Sequence, residues 1–375
     1  MHLLLLLLLA VPVASTPCLE NSKPPVQALH VLGQPNFTSG SPSMFTYPVT
    51  ITISPTPPHK MFVSQEGSAP LILRFETTKF DEGTQPEFSF GYDHGCTASS
   101  MLGANIFVDA EDNLWSADNG LHRVVMIANA SSISDSSPKP EMIVGQEDST
   151  TCTSGIGLNN LYSPFGVLVD NKWDNLWIAD TMNTRVLRFD NLSTQPKINA
   201  SATIMLGSTG LGGCLENTLY SPIGLGIDSE HNLWVADQMD NRILVFYNAY
   251  SKQNHDKADM VFGQPGFSVC SQYSETTQAT FSYPNRITFD SDDTIYISDR
   301  ANNRIMAFLN ASNIGNFLPE ADFQIGQPNF NTNSQTNTSD TSLYQPNGVV
   351  FDTYLTNSLI VVSFDENRVL RYCSN

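Results

Sequence analysis

The sequence predicts an all-β fold, a six-bladed β-propeller built from four-stranded antiparallel blades. One sequence pattern recurs six times at intervals of about 60 residues. Within each copy the apolar residues alternate or form short runs, and they never follow the helical period. The two ends of the chain supply complementary parts of one copy, which predicts that the last blade is closed by the N-terminal strand.

The repeat is clearest around a proline that precedes the first strand of each unit. Four segments place a Leu or Phe before the proline and an apolar run ending in Asp after it: 161–170, 219–228, 281–290 and 343–352. Weaker copies lie at 45–48 and at 101–103, where glycine replaces the proline. The six anchors are Pro48, Gly103, Pro164, Pro222, Pro284 and Pro346. Proline is tolerated here because the incoming segment has not yet joined a hydrogen-bonded ladder.

Unit four shows how each copy divides into strands. Its apolar runs predict strands at 224–228, 233–237, 242–246 and 259–263, separated by turn residues. Four antiparallel strands repeated six times expose many sheet edges, and closure into a ring protects them.

The ends of the chain fit this closure. Unit six supplies only three strands, the last at 368–372, while residues 28–34 near the N-terminus resemble the fourth strand of unit four at 258–264. We therefore expect the N-terminal strand to complete the last blade, which fixes both chain ends in one sheet.

The N-terminus predicts secretion. Leu3 to Leu9 form a short apolar run followed by small residues, so residues 1–15 are expected to be a signal peptide, residues 16–27 a leader, and residues 28–375 the propeller. The run is too short to span a bilayer, and no later stretch is long and apolar enough, so no membrane span is expected. The net charge of −19 argues against nucleic acid as a partner.

The chain has six cysteines and six Asn-X-Ser/Thr sequons, and secretion would allow the cysteines to form disulfides and the sequons to be glycosylated. An even number of cysteines on an oxidising route predicts disulfides. We expect Cys18–Cys373 to clamp the chain ends. Four cysteines lie in long connections between units; their simplest pairing is Cys96–Cys152 with Cys214–Cys270, and Cys152–Cys214 is the competing choice. The sequons, which predict a glycoprotein, begin at Asn36, Asn129, Asn191, Asn199, Asn310 and Asn337.

Four of the six sequons are expected to lie on one face of the ring. Asn129, Asn191, Asn199 and Asn310 follow third strands, which places them opposite the long connections that lead from each fourth strand to the next first strand. The long-loop side around units two to five is therefore expected to stay accessible to a partner.

Several motifs resemble those of the NHL-repeat family. Leu-Trp-Ile-Ala-Asp at 176–180 and Asn-Thr-Arg-Val-Leu-Arg-Phe at 183–189 are close matches, and the Gly-Gln-Pro elements at 33, 263 and 326 resemble the long-repeat form of extracellular members. The resemblance covers residues 28–373 and implies the propeller fold. It implies no single function, because the family includes lyases, RNA-binding proteins, receptor ectodomains and scaffolds.

Acidic and basic residues recur in pairs around the turn between second and third strands. The pairs are Asp118 with Arg123, Asp180 with Arg185, Asp237 with Arg242, and Asp299 with Arg304. A catalytic site needs only one copy, so the recurrence predicts bidentate structural pairs that pin each hairpin.

In-phase aromatic residues are likewise interpreted as structural. Trp115, Trp177 and Trp234 occupy the same place in three consecutive second strands, and Tyr296 takes it in the next. This recurrence predicts packing between blades rather than a sugar-stacking platform.

Residues that follow the anchors are expected to ring the central axis at one face. The family's amidating lyases bring histidines to zinc here, and its calcium-dependent lactonases bring carboxylates and asparagines. The corresponding positions in this chain contain no His, Asp or Glu, so no metal or cofactor is expected. Arg286, with Asn105, Asn285 and Asn347, forms the one polar group that suits a ligand, either a carboxylate or a sugar.

The leading functional hypothesis is a secreted, non-catalytic binding or scaffold module that contacts an extracellular protein or carbohydrate through its long loops. The alternative is a secreted metal-dependent lyase or hydrolase with its site at the channel mouth, and the missing ligand set argues against it. RNA binding, as in some NHL proteins, needs a basic surface, which the acidic composition opposes.

Overall fold

The computed structural model describes residues 26–38, 44–66, 71–91, 105–208, 214–270, 275–315, 317–335 and 337–372. Within these ranges, 24 β-strands form six four-stranded antiparallel sheets, and the only helices are short 3-10 turns. The all-β, six-bladed architecture predicted from the repeat is confirmed. The predicted signal peptide, and the leader up to residue 25, lie outside the described residues.

Each blade runs from an inner first strand to an outer fourth strand. Blade 1 contains β2 (Pro48–Ile53), β3 (Lys60–Gln65), β4 (Leu71–Glu76) and β5 (Phe88–Phe90). Blade 2 contains β6 (Asn105–Val108), β7 (Leu114–Asp118), β8 (Arg123–Ile127) and β9 (Met142–Val144). Blade 3 contains β10 (Val167–Asp170), β11 (Asn175–Asp180), β12 (Arg185–Phe189) and β13 (Ile204–Gly207).

The remaining blades follow the same order. Blade 4 contains β14 (Pro222–Ile227), β15 (Leu233–Asp237), β16 (Arg242–Phe246) and β17 (Met260–Phe262). Blade 5 contains β18 (Pro284–Phe289), β19 (Ile295–Asp299), β20 (Arg304–Phe308) and β21 (Phe323–Ile325). Blade 6 contains β22 (Pro346–Asp352), β23 (Ser358–Ser363), β24 (Arg368–Tyr372) and, from the N-terminus, β1 (His30–Leu32).

Closure of the ring uses both chain ends, as predicted. Strand β1 pairs antiparallel with β24, with Val31 opposite Leu370. The Ala28 N–H donates to the Asp340 carbonyl at 2.7 Å, which extends the contact beyond the strand. A ring closed in this way leaves blade 6 without an unfinished edge.

Six hydrophobic clusters fill the six interfaces between neighbouring blades. The in-phase aromatic residues lie in them: Trp115 packs against blade 3, Trp177 against blade 4, Trp234 against blade 5 and Tyr296 against blade 6. Phe62 and Ile360 occupy the equivalent places in the other two interfaces. These side chains are core residues and are not available to a ligand.

The ring has two different faces. The long-loop face consists of the connections from each fourth strand to the next first strand, together with the hairpins between second and third strands. The sequon face consists of the turns between first and second strands and the segments that follow third strands. Backbone bonds join the two parts of the sequon face, for example Leu192 N–H to the Asp174 carbonyl at 2.8 Å.

Three sequons coincide with a turn that the fold itself requires. Asn129, Asn191 and Asn310 adopt positive φ at the start of a 3-10 turn, a conformation that Asn tolerates better than most residues. The Ser two positions later binds an Asp of the neighbouring turn, as Ser193 Oγ binds Asp174 Oδ2 at 2.6 Å. These sequons therefore have a structural explanation, although all six sequon asparagines are exposed.

The Gly-Gln element also has a structural role. Gly263 has φ of +85°, and a side chain there would collide with Phe281. Gln264 Nε2 then donates to the Asn241 carbonyl at 3.3 Å, at the end of the second-to-third-strand hairpin. The element thus turns the chain sharply out of the fourth strand and attaches it to the long-loop face.

Candidate functional site

A buried ion pair organises the long loops of blade 4. Arg242 Nε lies 2.8 Å from Asp237 Oδ2, and both side chains are fully buried. The other guanidinium nitrogens donate to backbone carbonyls of two long loops, Nη1 to Phe267 and Nη2 to Thr218, each at 2.9 Å. The prediction of a bidentate pair is therefore wrong in detail. Nε binds the Asp237 carboxylate, Nη2 also contacts Asp240 Oδ2 at 3.3 Å, and the two Nη groups hold the loops that enter and leave the blade.

The same arrangement recurs around the ring. The equivalent pairs, with their Nε to Oδ2 distances, are Arg123–Asp118 (3.2 Å), Arg185–Asp180 (2.8 Å) and Arg304–Asp299 (2.7 Å). Blade 6 has a variant that the sequence pattern did not reveal, because Arg368 pairs with Glu366 at 2.8 Å, two residues away. The sequence signal for it was Arg368 itself, which begins its third strand as the other four arginines begin theirs. We call these five arginines the loop clamps.

The carboxylates also fix the backbone that leads into each first strand. Asp237 Oδ1 accepts the Tyr220 N–H at 2.6 Å, and Asp180 Oδ1 accepts the Tyr162 N–H at 2.7 Å. Burial raises the pKa of the Asp237 carboxyl, and the Arg242 guanidinium opposes that shift. The arginine therefore stabilises the ionised form that accepts these hydrogen bonds.

Neighbouring blades are joined at the same face by residues of left-handed conformation. Asn241, Asn303 and Asn367 end second-to-third-strand hairpins with φ near +50°, and His122 does so in blade 2. Each side chain accepts the N–H of the residue before the next blade's anchor proline. The bonds are Ser163 N to His122 Nδ1 (3.1 Å), Tyr283 N to Asn241 (2.8 Å), Gln345 N to Asn303 (2.9 Å) and Tyr47 N to Asn367 (2.7 Å).

The histidine in this series predicts a pH effect. Burial lowers the pKa of His122, and it outweighs the Asn119 backbone contact and the charges of Asp118 and Asp180, which raise it. A folded-state pKa below the unfolded value of about 6.5 means that the stability contribution is present above pH 6.5 and is lost as the pH falls. Protonated His122 has no acceptor left for the Ser163 N–H.

His122→Asn restores the acceptor found in the other blades and cannot titrate. We expect the variant to gain stability over the natural protein as the pH falls from 7.5 to 5, by less than about 1 kcal/mol because the site is partly exposed. Chemical denaturation at the two pH values measures the difference. A stability difference that is the same at both would contradict the role of His122 as the acceptor.

Tyrosines surround the long-loop face just before the anchor prolines. Their side chains are exposed by 47% (Tyr47), 38% (Tyr162), 37% (Tyr220) and 40% (Tyr283). Tyr344, in the same place before β22, is partly buried. We call these five residues the tyrosine ring. None of their hydroxyl groups hydrogen-bonds to another residue in the described part of the chain, so the hydroxyls are available to a partner. The sequence analysis did not single them out, although each lies within two residues of an anchor.

A depression of about 310 Å³ lies between two members of the ring, Tyr283 and Tyr344. Arg300 lines it and donates through Nη2 to Gln345 Oε1 at 2.7 Å. The same guanidinium lies 5.6 Å from the centre of the Phe364 ring. Aromatic rings beside a held cation form an amphipathic surface that suits a polar partner with apolar faces.

One predicted disulfide is confirmed. Cys214 and Cys270 are bonded, with a Cα–Cα distance of 5.7 Å, and they connect the long loops on either side of blade 4. This excludes the competing Cys152–Cys214 pairing. Cys152 is also disulfide-bonded; the predicted Cys96–Cys152 and Cys18–Cys373 bonds involve cysteines outside the described residues. Asp240 lies near Cys214 and Cys270, but sulfurs committed to a disulfide leave no thiolates for a metal.

The central channel contains a cavity of about 410 Å³, lined by residues from the first strands of all six blades. Of the four predicted binding residues, Asn105 and Arg286 line it. Asn285 and Asn347 do not: Asn285 Nδ2 donates to Asn347 Oδ1, and both are buried. Neighbouring first strands approach closely at this end, where Gly224 packs on the Asn285 carbonyl. The four residues therefore form no single ring: Asn285 and Asn347 bond to each other, while Asn105 and Arg286 line the cavity from different blades.

Comparison with known proteins defines the class. Residues 281–308, which span β18 to β20, match the NHL repeat. The chain therefore carries the NHL repeat in a six-bladed β-propeller. No curated protein shows a significant sequence match. Among the described residues, no helix has the length and apolar character needed to cross a membrane.

Solved structures share the fold at low sequence identity. A protein of unknown function from Bacteroides thetaiotaomicron VPI-5482 aligns with TM-score 0.52 and 16% identity, over 89% of this chain and 71% of that one. Virginiamycin B lyase from Staphylococcus aureus aligns with TM-score 0.51 and 12% identity, over 92% and 99%. The WD40 propeller of Doa1 aligns with TM-score 0.51 and 8% identity, over 89% and 81%. At these identities the similarity concerns the fold alone.

Proposed function

We propose that this protein is a secreted, non-catalytic binding module that holds an extracellular protein or carbohydrate against its long-loop face. The observation that carries this proposal is the tyrosine ring. Four rings exposed by more than a third lie one or two residues before the anchor prolines on one face, and their hydroxyl groups have no described partner. Tyrosine supplies large contact area at low conformational cost and is enriched where partners bind.

The loops that bear the tyrosines are held in place before any partner arrives. The loop clamps bind loop carbonyls, for example Arg304 Nη2 to Thr277 at 2.7 Å and Nη1 to Phe330 at 2.7 Å. The Cys214–Cys270 disulfide ties two of the loops together. A preorganised surface loses little entropy on binding, so its contacts contribute more fully to affinity.

The distribution of sequons supports the same face. Asn129, Asn191 and Asn310 are exposed on the sequon face, where attached glycans would exclude a protein partner. Secretion and glycosylation remain part of the proposal and are consistent with the disulfide, since such bonds persist in oxidising compartments.

The channel is less suited to metal chemistry. The described residues that line the cavity include no His, Cys, Asp or Glu, and these are the side chains that hold zinc and most calcium ions. The polar groups of the lining are instead one guanidinium, the amides of Asn105 and Asn171, and hydroxyl groups. The lyase among the solved structures shares the fold, and at 12% identity the similarity extends no further than the fold.

The proposal predicts that a paired substitution on the tyrosine ring weakens binding. Tyr162→Ser with Tyr220→Ser removes two neighbouring rings, and we expect the affinity for the partner to fall at least about tenfold, as loss of interface tyrosines does. The experiment screens the secreted full chain against displayed glycans and extracellular proteins, and measures each hit by interferometry with both forms.

The matched control is Trp173→Ser with Tyr250→Ser. These two exposed aromatic residues stack at 4.4 Å on the sequon face, so the control removes similar apolar area from the other side. It is expected to bind like the natural protein. Loss of binding in the control together with full binding by the tyrosine-ring variant would refute the proposal.

A further inference from the structure

The central channel holds a buried cation for which the fold provides no counter-ion. Arg286 lines the cavity and is only 8% exposed. It makes no hydrogen bond, ion pair or ring contact with any residue that the structure describes. The loop clamps are the relevant contrast, because each of those buried arginines pairs with a carboxylate. An unpaired buried charge lowers the stability of the fold, so the burial of Arg286 without a carboxylate requires an explanation. The loop clamps require none, because they are paired.

The repeat gives no structural reason for this arginine. The residue two positions after the anchor is Gly166, Gly224 or Gly348 in three other blades. A Cβ added at Gly166 or Gly348 would come within about 3 Å of neighbouring side chains or backbone, so these places in the ring require glycine. Arg286 is thus the one charged residue among these six positions, which otherwise hold three glycines, Thr50 and Asn105.

Charge and hydrogen-bonding capacity at the site favour an anion. Burial alone lowers the pKa of Arg286 to about 9, so the guanidinium stays charged at neutral pH. Asn105 Nδ2 lines the same cavity and is a buried donor without a partner. No carboxylate belongs to the described lining. The unpaired guanidinium in this space suits a planar oxyanion, which a guanidinium binds well.

Apolar side chains line the cavity beside the hydroxyl groups of several threonines and the Asn171 amide. Phe107, Ile227, Phe289 and Val350 come from four different blades, line the cavity and are partly exposed to it. The volume of about 410 Å³ lies in the range of small-molecule sites, which combine apolar walls with a few convergent polar groups.

We propose that the channel binds a small organic carboxylate, with its carboxylate on the Arg286 guanidinium and its apolar body against apolar side chains of the first strands. This site is separate from the long-loop face. It holds whether or not a macromolecule binds the tyrosine ring, and its failure would leave the proposed function untouched.

The test uses the full chain and three probes: decanoate, the uncharged analogue decanol, and acetate. By calorimetry we expect the natural protein to bind decanoate at least about tenfold more tightly than either of the others, as a charge-assisted contact combined with apolar burial predicts. Arg286→Met is expected to bind decanoate and decanol alike. Lys257→Met, which removes a positive charge from the surface, is expected to keep the natural preference.

A second measurement needs no ligand. Because Arg286→Met replaces an unpaired buried charge by an apolar group of similar length, its thermal midpoint without probe should exceed that of the natural protein. Three results would overturn the proposal: equal binding of decanoate and decanol by the natural protein, acetate binding as tight as decanoate, or an unchanged decanoate preference in Arg286→Met. A lower midpoint for Arg286→Met would equally contradict it, since it would reveal a structural role for the guanidinium.

Discussion

Trp177→Ala is expected to lower the free energy of unfolding by about 3–5 kcal/mol, the usual cost of truncating a large buried aromatic residue. Trp177 is 1% exposed and lies in the cluster between blades 3 and 4, with the Arg188 guanidinium 5.4 Å from its ring centre. Chemical denaturation monitored by circular dichroism measures the loss. A variant of unchanged stability that has lost ligand binding would show instead that the ring serves recognition.

Phenylalanine at two equivalent positions provides a sharper control. Trp234 Nε1 donates to Asp228 Oδ2 at 2.9 Å, whereas Trp177 Nε1 is buried without a partner. Trp234→Phe leaves a buried carboxylate with one donor fewer, and Trp177→Phe removes an unsatisfied N–H. We therefore expect Trp234→Phe to be the more destabilising by about 1–3 kcal/mol. The opposite order would contradict this assignment of hydrogen bonds.

Arg242→Met is expected to be comparably severe, with a loss of about 3–5 kcal/mol, because removing one partner leaves a buried charge uncompensated. The substitution leaves the Asp237 carboxylate without its guanidinium partner, and burial already raises the pKa of that carboxyl. It also removes the N–H donors to the carbonyls of Phe267 and Thr218. Because those carbonyls belong to loops on both sides of the blade, the loops should become more accessible to proteases as well.

The matched control for Arg242→Met is Lys257→Met. Lys257 pairs with Glu216 at 2.6 Å on the surface, where the lysine side chain is 68% exposed, so its loss should change stability by less than about 1 kcal/mol. Equal effects of the two substitutions would mean that the clamps contribute no more than surface ion pairs.

The sequence predicts the architecture well because the information is local and repeated. The strands expected at 233–237 and 242–246 match β15 and β16, and the shorter outer strand at 259–263 matches β17 within a residue at each end. The N-terminal strand was recognisable because it resembles other fourth strands. Six repetitions average out the uncertainty that a single short apolar run would carry.

The sites were less predictable because the groups that their side chains contact are distant in sequence and belong to common residue types. The loop clamps bind backbone carbonyls, which leave no trace in the side-chain pattern, and the Glu366–Arg368 pair has a different spacing from the others. The polar residues after the anchors also separate: Asn285 turns to Asn347, whereas Arg286 lines the cavity. Which way each side chain points depends on how closely neighbouring first strands approach, and that is a property of the whole ring.

Photo-crosslinking at two positions tests the central claim most directly. A benzophenone amino acid replaces Tyr220 on the long-loop face in one form of the purified chain and Tyr250 on the sequon face in the other; these residues are 37% and 45% exposed. Each form is irradiated with extracellular proteins and glycoconjugates, and covalent adducts are identified by mass spectrometry. Binding through the long loops predicts a reproducible adduct at position 220 that excess unlabelled protein competes away, and none at 250. A competed adduct at 250 alone would place the partner on the sequon face and contradict the account.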